Sequence, residues 1–469
     1  MVAASVAARR RIAILAALAL SVALPAGAAA APGQVDPSYG FYGTVDITDA
    51  MPGPEFQRGA LAAAVGPQDE SVVLSYAVRL CDSGSCEAGR DPCASGGCAD
   101  LYVIRVSADG VLDTAFAGRA GRVATVDWGS VGAETGPNGA IAVQPDGKVV
   151  VAVGDGIAAD VVRLNPDGSR DLSFRNPAEP LLPAGASSVL LGGPTTVTDL
   201  GLRPTGEIVV AGGSGGSFFV SQLSADGQGD SHFGLRGTRF DSFQPGEMPG
   251  GLLLRGASTV VGGDACCATP TYSMALAKLD AAGSLADVVR VKLPKRLGAG
   301  KPKGVADVIG GPKGSTFVVG SAAKGTFVAK YLGSGRPDKS FRDGGFALVR
   351  GLRSEPGSAL LDTHGRVIVL GTRLDVPDTM GFRGRYVSTV RLLPSGRVDP
   401  TYGGARPLLV VEEHGQRVGL DFGRSLGLTR RSDGRLILLG EATPNRYAKT
   451  PSGPRFGLVR YLAGGRLKR

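Results

Sequence analysis

The sequence predicts an all-β chain folded as a single closed seven-bladed β-propeller, four antiparallel strands to a blade, behind an N-terminal export signal. Three observations predict it: a recurring aspartate–aromatic step, a fixed order of four short β-branched runs between turn signals, and termini that each lack what the other supplies.

The step is an aspartate followed three residues later by an aromatic. It occurs at Asp36–Tyr39, Asp113–Phe116, Asp171–Phe174, Asp230–Phe233, Asp338–Phe341 and Asp399–Tyr402, with a degraded copy near Asp287. Successive aspartates lie 77, 58, 59, 57, 51 and 61 residues apart, and 70 residues follow the last. That divides the chain into seven units: 36–112, 113–170, 171–229, 230–286, 287–337, 338–398 and 399–469.

Each unit has the same internal order, clearest in the second. Its strand candidates are Gly121–Val126, Ala140–Gln144, Val149–Val153 and Asp160–Leu164, with turns at Pro145–Lys148 and Asn165–Gly168. Asp-Gly between two β-branched runs signals a hairpin, because glycine tolerates positive φ. Third strands recur at Glu207–Ala211, Thr316–Gly320, Arg366–Gly371 and Arg435–Gly440. Fourth strands recur at Tyr102–Val106, Phe219–Leu223, Ala275–Leu279, Phe327–Tyr331, Ser388–Leu392 and Leu458–Leu462. No long stretch of the mature chain carries a helical period. The first copy begins at Val35-Asp36 without a preceding fourth strand. The last ends in Gly457–Gly465, which supplies that strand and turn but no aspartate–aromatic step. Laid end to end, the termini make one junction, and a closed ring has no free outer seam.

The runs AIAVQPDGKVVVAV, DVVRLNPDGSRDLSF and VIRVSADGVLDTAF resemble the delta-60 repeat, a β-propeller repeat of bacterial exported proteins. The resemblance extends over nearly all of the mature chain. It is close in unit two and eroded in unit five at the aspartate–aromatic step. It implies a fold, and it carries no catalytic residue over.

The N-terminus reads as a secretory signal, residues 1–31, with the propeller over 35–469. Arg9, Arg10 and Arg11 precede the apolar run Ile12–Leu24, and small residues Ala28–Ala31 follow. A mainly apolar run of thirteen residues is too short to cross a bilayer comfortably. The expected location is secreted or envelope-associated, by the general secretory or the twin-arginine route. Removing the leader's three arginines lowers the formal charge from +9 to +6. That excess is too diffuse to indicate nucleic acid. Apolar residues at 43% supply a core, and 73 glycines without a triplet period read as many turns.

The repeated aromatics Tyr39, Phe116, Phe174, Phe233, Phe341 and Tyr402 read as wedges packed between neighbouring blades. Asp109/Asp113, Asp167/Asp171 and Asp226/Asp230 lie four apart and invite calcium. The first member is Ser334 or Ser395 in two other units, so the reading is turn chemistry, with no metal site. Cys81, Cys86, Cys93 and Cys98 lie in one loop of unit one. In an exported chain they are expected as disulfides, and the spacing leaves sequential and nested pairings both open. Cys266 and Cys267 are adjacent in unit four, open to a vicinal bond or to bonds with another chain.

Both cysteine groups lie between the third and fourth strands. Units six and seven are also long there, at Thr372–Arg385 and Glu441–Arg455. Units six, seven and one are consecutive around a closed ring, so one sector of one face carries the divergent loops. Asp375, Asp378, Phe382, Arg383, Arg446 and Tyr447 are the candidate binding residues there. His232, His364 and His414 fall in different units, and no nucleophile elbow, zinc helix or P-loop occurs. The basic stretch Lys292, Lys295, Arg296, Lys301 and Lys303 reads as a solvated loop, with contact to an anionic polymer as the sharper alternative. The expected function is a binding or scaffold protein, without cofactor or catalytic residue, whose partner is a protein or an envelope polymer rather than nucleic acid. The chain is expected to be a monomer with no membrane span after signal removal. The alternative is a propeller lyase or hydrolase of a polysaccharide or small metabolite, on fold analogy alone.

Overall fold

The computed structural model describes residues 31–51, 58–79, 98–116, 122–127, 138–154, 157–177, 182–241, 247–265, 273–353, 359–377, 383–403, 408–413, 416–442 and 453–463. Residues 1–30 lie outside them. The chain is all-β, a propeller of seven antiparallel sheets that follow one another in sequence. From inner to outer strand, blade one is Arg58–Val65, Ser71–Arg79, Cys98–Val106 and Arg122–Asp127. Blade two is Gly139–Val143, Val149–Gly154, Ala158–Leu164 and Ala186–Leu190. Blade three is Thr195–Leu202, Ile208–Ser214, Ser217–Leu223 and Thr238–Asp241. Blade four is Glu247–Arg255, Ser258–Ala265, Ser273–Leu279 and Leu285–Val291. Blade five is Pro302–Gly310, Thr316–Ala322, Gly325–Tyr331 and Phe346–Arg350.

Blades six and seven depart from this plan. In blade six the inner strand is split into Leu352–Arg353 and Ala359–Leu361, both pairing with Val367–Pro377, which pairs in turn with Arg383–Leu392. Blade seven takes its inner strand from the second half of Gln416–Arg430, followed by Leu436–Ala442 and Arg455–Tyr461. Its outermost strand, Thr44–Asp46, comes from the other end of the chain, in register Thr44↔Val459, Val45↔Leu458 and Asp46↔Gly457. Inner strands of consecutive blades pack together, and that of blade one also packs against blade seven.

Sequence unit and blade are out of phase by one strand. The first run of unit two becomes the outermost strand of blade one, Arg122–Asp127, while its other three runs start blade two. The second and third strands are apolar without alternation because both faces are covered by neighbouring blades. No residue of Val149–Gly154 or Ala158–Leu164 is exposed. Each apolar cluster accordingly draws on adjacent blades, as where Val72 and Leu74 of blade one meet Ile141 and Val151 of blade two. The Asp-Gly turns put only glycine at positive φ, 84° at both Gly147 and Gly168. They are therefore type I turns closed by a left-handed glycine, rather than two-residue primed turns.

Unit five lacks the aspartate–aromatic step for a visible reason. Its outer strand Leu285–Val291 starts directly after the Asp280–Ser284 turn, so Asp287 falls inside the ladder opposite Lys278. Leu297 is buried there instead, clustered with Phe327 and Tyr331. The α-helical assignment among the described residues is one turn, Arg342–Gly345, with Asp343 and Gly344 left-handed inside it.

Candidate functional site

The step residues occupy one recurring arrangement. The aspartate Oδ1 accepts the amide two residues on, at Ser38, Ala115, Ser173, His232, Ser340 and Thr401. Oδ2 accepts from the side chain eight residues earlier. Arg105 Nε reaches Asp113 at 2.8 Å, Arg163 Nε reaches Asp171 at 2.8 Å, and Arg391 Nε reaches Asp399 at 2.9 Å. Lys330 Nζ lies 2.8 Å from Asp338, and Gln222 Nε2 donates to Asp230 at 2.7 Å. The four cations escaped the sequence reading, although Arg105, Arg163, Lys330 and Arg391 were visible in it eight residues before Asp113, Asp171, Asp338 and Asp399. Burial works against ionisation of Asp171, yet Ser173, Lys148 and Arg163 hold its carboxyl below the usual range. The Lys330 and Ser340 bonds bring Asp338 down to about 2.

The aromatics close the same arrangement. Tyr39, Phe116, Phe174 and Phe233 have no exposed surface, Phe341 has almost none, and Tyr402 packs with Tyr461. Guanidinium carbons of Arg105, Arg163, Arg391 and Arg460 sit 4.3, 4.7, 4.8 and 4.7 Å from the ring centres of Phe116, Phe174, Tyr402 and Tyr39. The residue after the aromatic then bonds the next blade. Gly40 N donates to Asp109 O, Arg175 N to Asp226 O, Gly234 N to Ala282 O and Arg342 N to Ser395 O. Arg105 Nη1 and Arg163 Nη1 likewise reach Pro166 O and Ala225 O one blade on. Asp167 and Asp226 bond within their own turns, to Ser169 and to Ser224 and Gln228. The four-apart aspartates are thus engaged separately.

Asp378, Phe382, Arg446, Tyr447, Cys81, Cys86, Cys93, Cys266 and Cys267 lie outside the described residues, as do the side chains of Cys98, Asp375 and Arg383. The backbone around them corrects the loop expected at Thr372–Arg385. Its two strands continue as a ladder, Arg373↔Tyr386, Leu374↔Arg385, Val376↔Gly384 and Pro377↔Arg383, which confines the loop to 378–382.

At the foot of that ribbon lies a groove of about 430 Å³. It exists because blade six has no outermost strand on Arg383–Leu392 among the described residues. Leu408–Glu413 stands where that strand would begin, but it turns away and pairs with Gln416–Asp421. Leu409 is drawn into the apolar cluster between blades six and seven, with Leu370, Val387 and Phe422. The groove is lined by Arg373, Tyr386, Ser388, Thr389, Asp399 and Tyr402, among others. Tyr402 Oη bonds Thr389 Oγ1 at 3.1 Å, and burial pushes its phenol up. Arg373 Nε lies 3.5 Å from Ser388 Oγ. The sequence reading missed this site because it depends on a strand that departs from the repeat.

Two further carboxyls are perturbed. Burial pushes Asp199 up to about 6, although its oxygens accept Leu200 N at 2.8 Å and Leu252 N at 2.9 Å. Burial pushes Asp264 up to about 6 as well. Asp307 bonds Ala359 N of blade six as Asp199 bonds Leu252 of blade four, so both tie neighbouring inner strands together. His232 is exposed against Asp230 in blade three, and His364 is exposed in blade six.

The family model described as a β-propeller domain of unknown function (DUF5122) matches residues 144–174. That stretch holds a turn and two strands of unit two and the Asp171–Phe174 step that follows them. No curated protein matches the chain. Similar solved structures include a protein from Lactobacillus plantarum, at 15% identity and TM-score 0.41 over 72% of this chain and 83% of that one. A protein of unknown function from Dyadobacter fermentans aligns at 13% identity and TM-score 0.43, over 89% and 98%. The Dos1 propeller aligns at 8% identity and TM-score 0.41, over 87% and 94%.

Proposed function

We propose that this chain is an exported delta-60-type repeat protein, closed into one ring, that binds or scaffolds a partner at the blade-six groove and the loops above it. The observation that carries the reading is the groove itself. It is a concavity of about 430 Å³ walled by hydroxyls and Arg373. It opens at the foot of the ribbon formed by Val367–Pro377 and Arg383–Leu392. Polar groups that converge on a concave surface suit recognition. The repeat aspartates are already held by basic partners, Gln222 or turn amides, and Asp199 and Asp307 by backbone amides. This leaves them poorly suited to act as acids or bases and favours binding over a lyase or hydrolase.

The test is retention by envelope preparations of the source organism. Arg373→Ala and Tyr386→Ala should keep the thermal midpoint within a few degrees and lose retention. Retention equal to the parent in both variants would place the partner elsewhere.

A further inference from the structure

We infer that the face beside the groove binds an anionic glycan, through six cations that the fold gathers from blades five and six: Lys301, Lys303, Lys324, Arg350, Arg353 and Arg373. This deepens the binding reading by naming its ligand class, and it rests on that reading.

The gathering follows from backbone bonds between separate segments. Ala323 N donates to Lys301 O, Lys324 N to Ala299 O, and Gly351 N to Lys324 O. Arg350 pairs with Gly325 at the end of blade five. Its Nη2 lies 3.4 Å from the point where Gly298 would carry a Cβ. Leu352 pairs with Arg373 and Arg353 with Thr372, which carries the row onto the wall of the groove. Only Lys301 and Lys303 belong to the basic stretch visible in the sequence. The other four come from a turn, two strand ends and the interior of Val367–Pro377, which the fold brings alongside.

Five of the six are exposed and Arg373 is half-buried. Among the described residues none of the six forms an ion pair. Asp264 is the nearby carboxyl, packed against Gly304. Asp338 and Asp362 are held by Lys330 and Arg366. Six unpaired cations cost self-repulsion that an anionic chain would relieve. The large exposed apolar side chains of the described residues include no aromatic from this sector. Single-stranded nucleic acid would want aromatic rings to stack on. The neighbouring Ser388, Thr389 and Tyr386 instead offer hydroxyls suited to sugars.

The experiment measures binding of the full mature chain to polygalacturonate, with neutral dextran and mixed-sequence single-stranded DNA alongside, across a salt series. The expected result is binding to polygalacturonate that weakens with salt, and none to dextran. Lys324→Glu/Arg353→Glu should weaken binding roughly tenfold. Arg336→Glu/Lys339→Glu, with the same charge change on the opposite turns, should stay within about twofold. Equal weakening in both variants, preference for DNA, or no polygalacturonate binding would each overturn the inference. If polygalacturonate fails while envelope retention still requires Arg373 and Tyr386, the ligand class is wrong and the binding reading stands. If this sector binds polygalacturonate but retention ignores those two residues, the groove reading falls and the glycan inference stands.

Discussion

Arg460 donates through Nε to Asp36 Oδ2 at 2.9 Å, which makes residues 424 apart in sequence the same pair that Arg163 and Asp171 make eight apart. The match extends to its surroundings. Arg460 lies over the Tyr39 ring, bonds Ser38 Oγ at 2.8 Å and reaches Ala108 O of blade one at 2.8 Å. Asp36 N accepts its place in the ladder by donating to Arg460 O at 2.8 Å, and Leu462 N donates to Gln34 O at 2.9 Å. The N-terminal segment thus does for blade seven what Asp171–Phe174 does for blade two.

Breaking this pair should be costly. Asp36 is 3% exposed and Arg460 2%, so Asp36→Ala would leave a buried guanidinium without its carboxylate. The expected loss is about 3 kcal/mol or more, read by urea unfolding. Asp171→Ala should cost a similar amount. A loss below about 1 kcal/mol at Asp36 would mean the terminal pair is not equivalent to the internal ones.

The aromatic wedge should matter as much. Phe174 is fully buried against Val197, Leu200 and Ile208 of the next blade. Phe174→Ala should destabilise by about 3–5 kcal/mol. Val398→Ala, at a site 49% exposed, should change stability by less than about 0.5 kcal/mol.

Stability should respond to pH with two opposite signs. Asp338, held at about 2, stabilises the fold above its ordinary value near 4 and loses that contribution as pH falls through 2. Asp36, Asp113, Asp171, Asp230 and Asp399 are lowered too, so the losses accumulate below pH 4. Asp199, raised to about 6, penalises the fold above pH 6 and relieves it as pH falls toward 4. The wild type should therefore be most stable near pH 4, lose roughly 3 kcal/mol through Asp199 as pH rises from about 4 to 6, and level off above that. Asp199→Asn should flatten that upper limb, measured by urea midpoints across the series. An unchanged limb would contradict the assignment.

The repeat made most of the fold legible. Asp171–Phe174 marked the end of a strand, glycines such as Gly147 marked turns, and the unalternating Val149–Val153 run marked a strand covered on both sides. Sequence reasoning lost the phase between unit and blade, because pairing between Ala186–Leu190 and Ala158–Leu164 is a tertiary choice that local pattern does not encode. It lost the groove for the same reason. Whether Leu408–Glu413 pairs with blade six or turns back on Gln416–Asp421 is decided by where Leu409 can be buried, not by β-propensity.

The most direct measurement of the central claim is hydrogen exchange on the N-terminal strand. Peptides containing Thr44–Asp46 should exchange as slowly as those containing Arg455–Tyr461, because the two strands share one ladder. Both should slow or open together when stability is varied with urea. Exchange of Thr44–Asp46 at the rate of an unstructured segment, with blades two to five still protected, would contradict it.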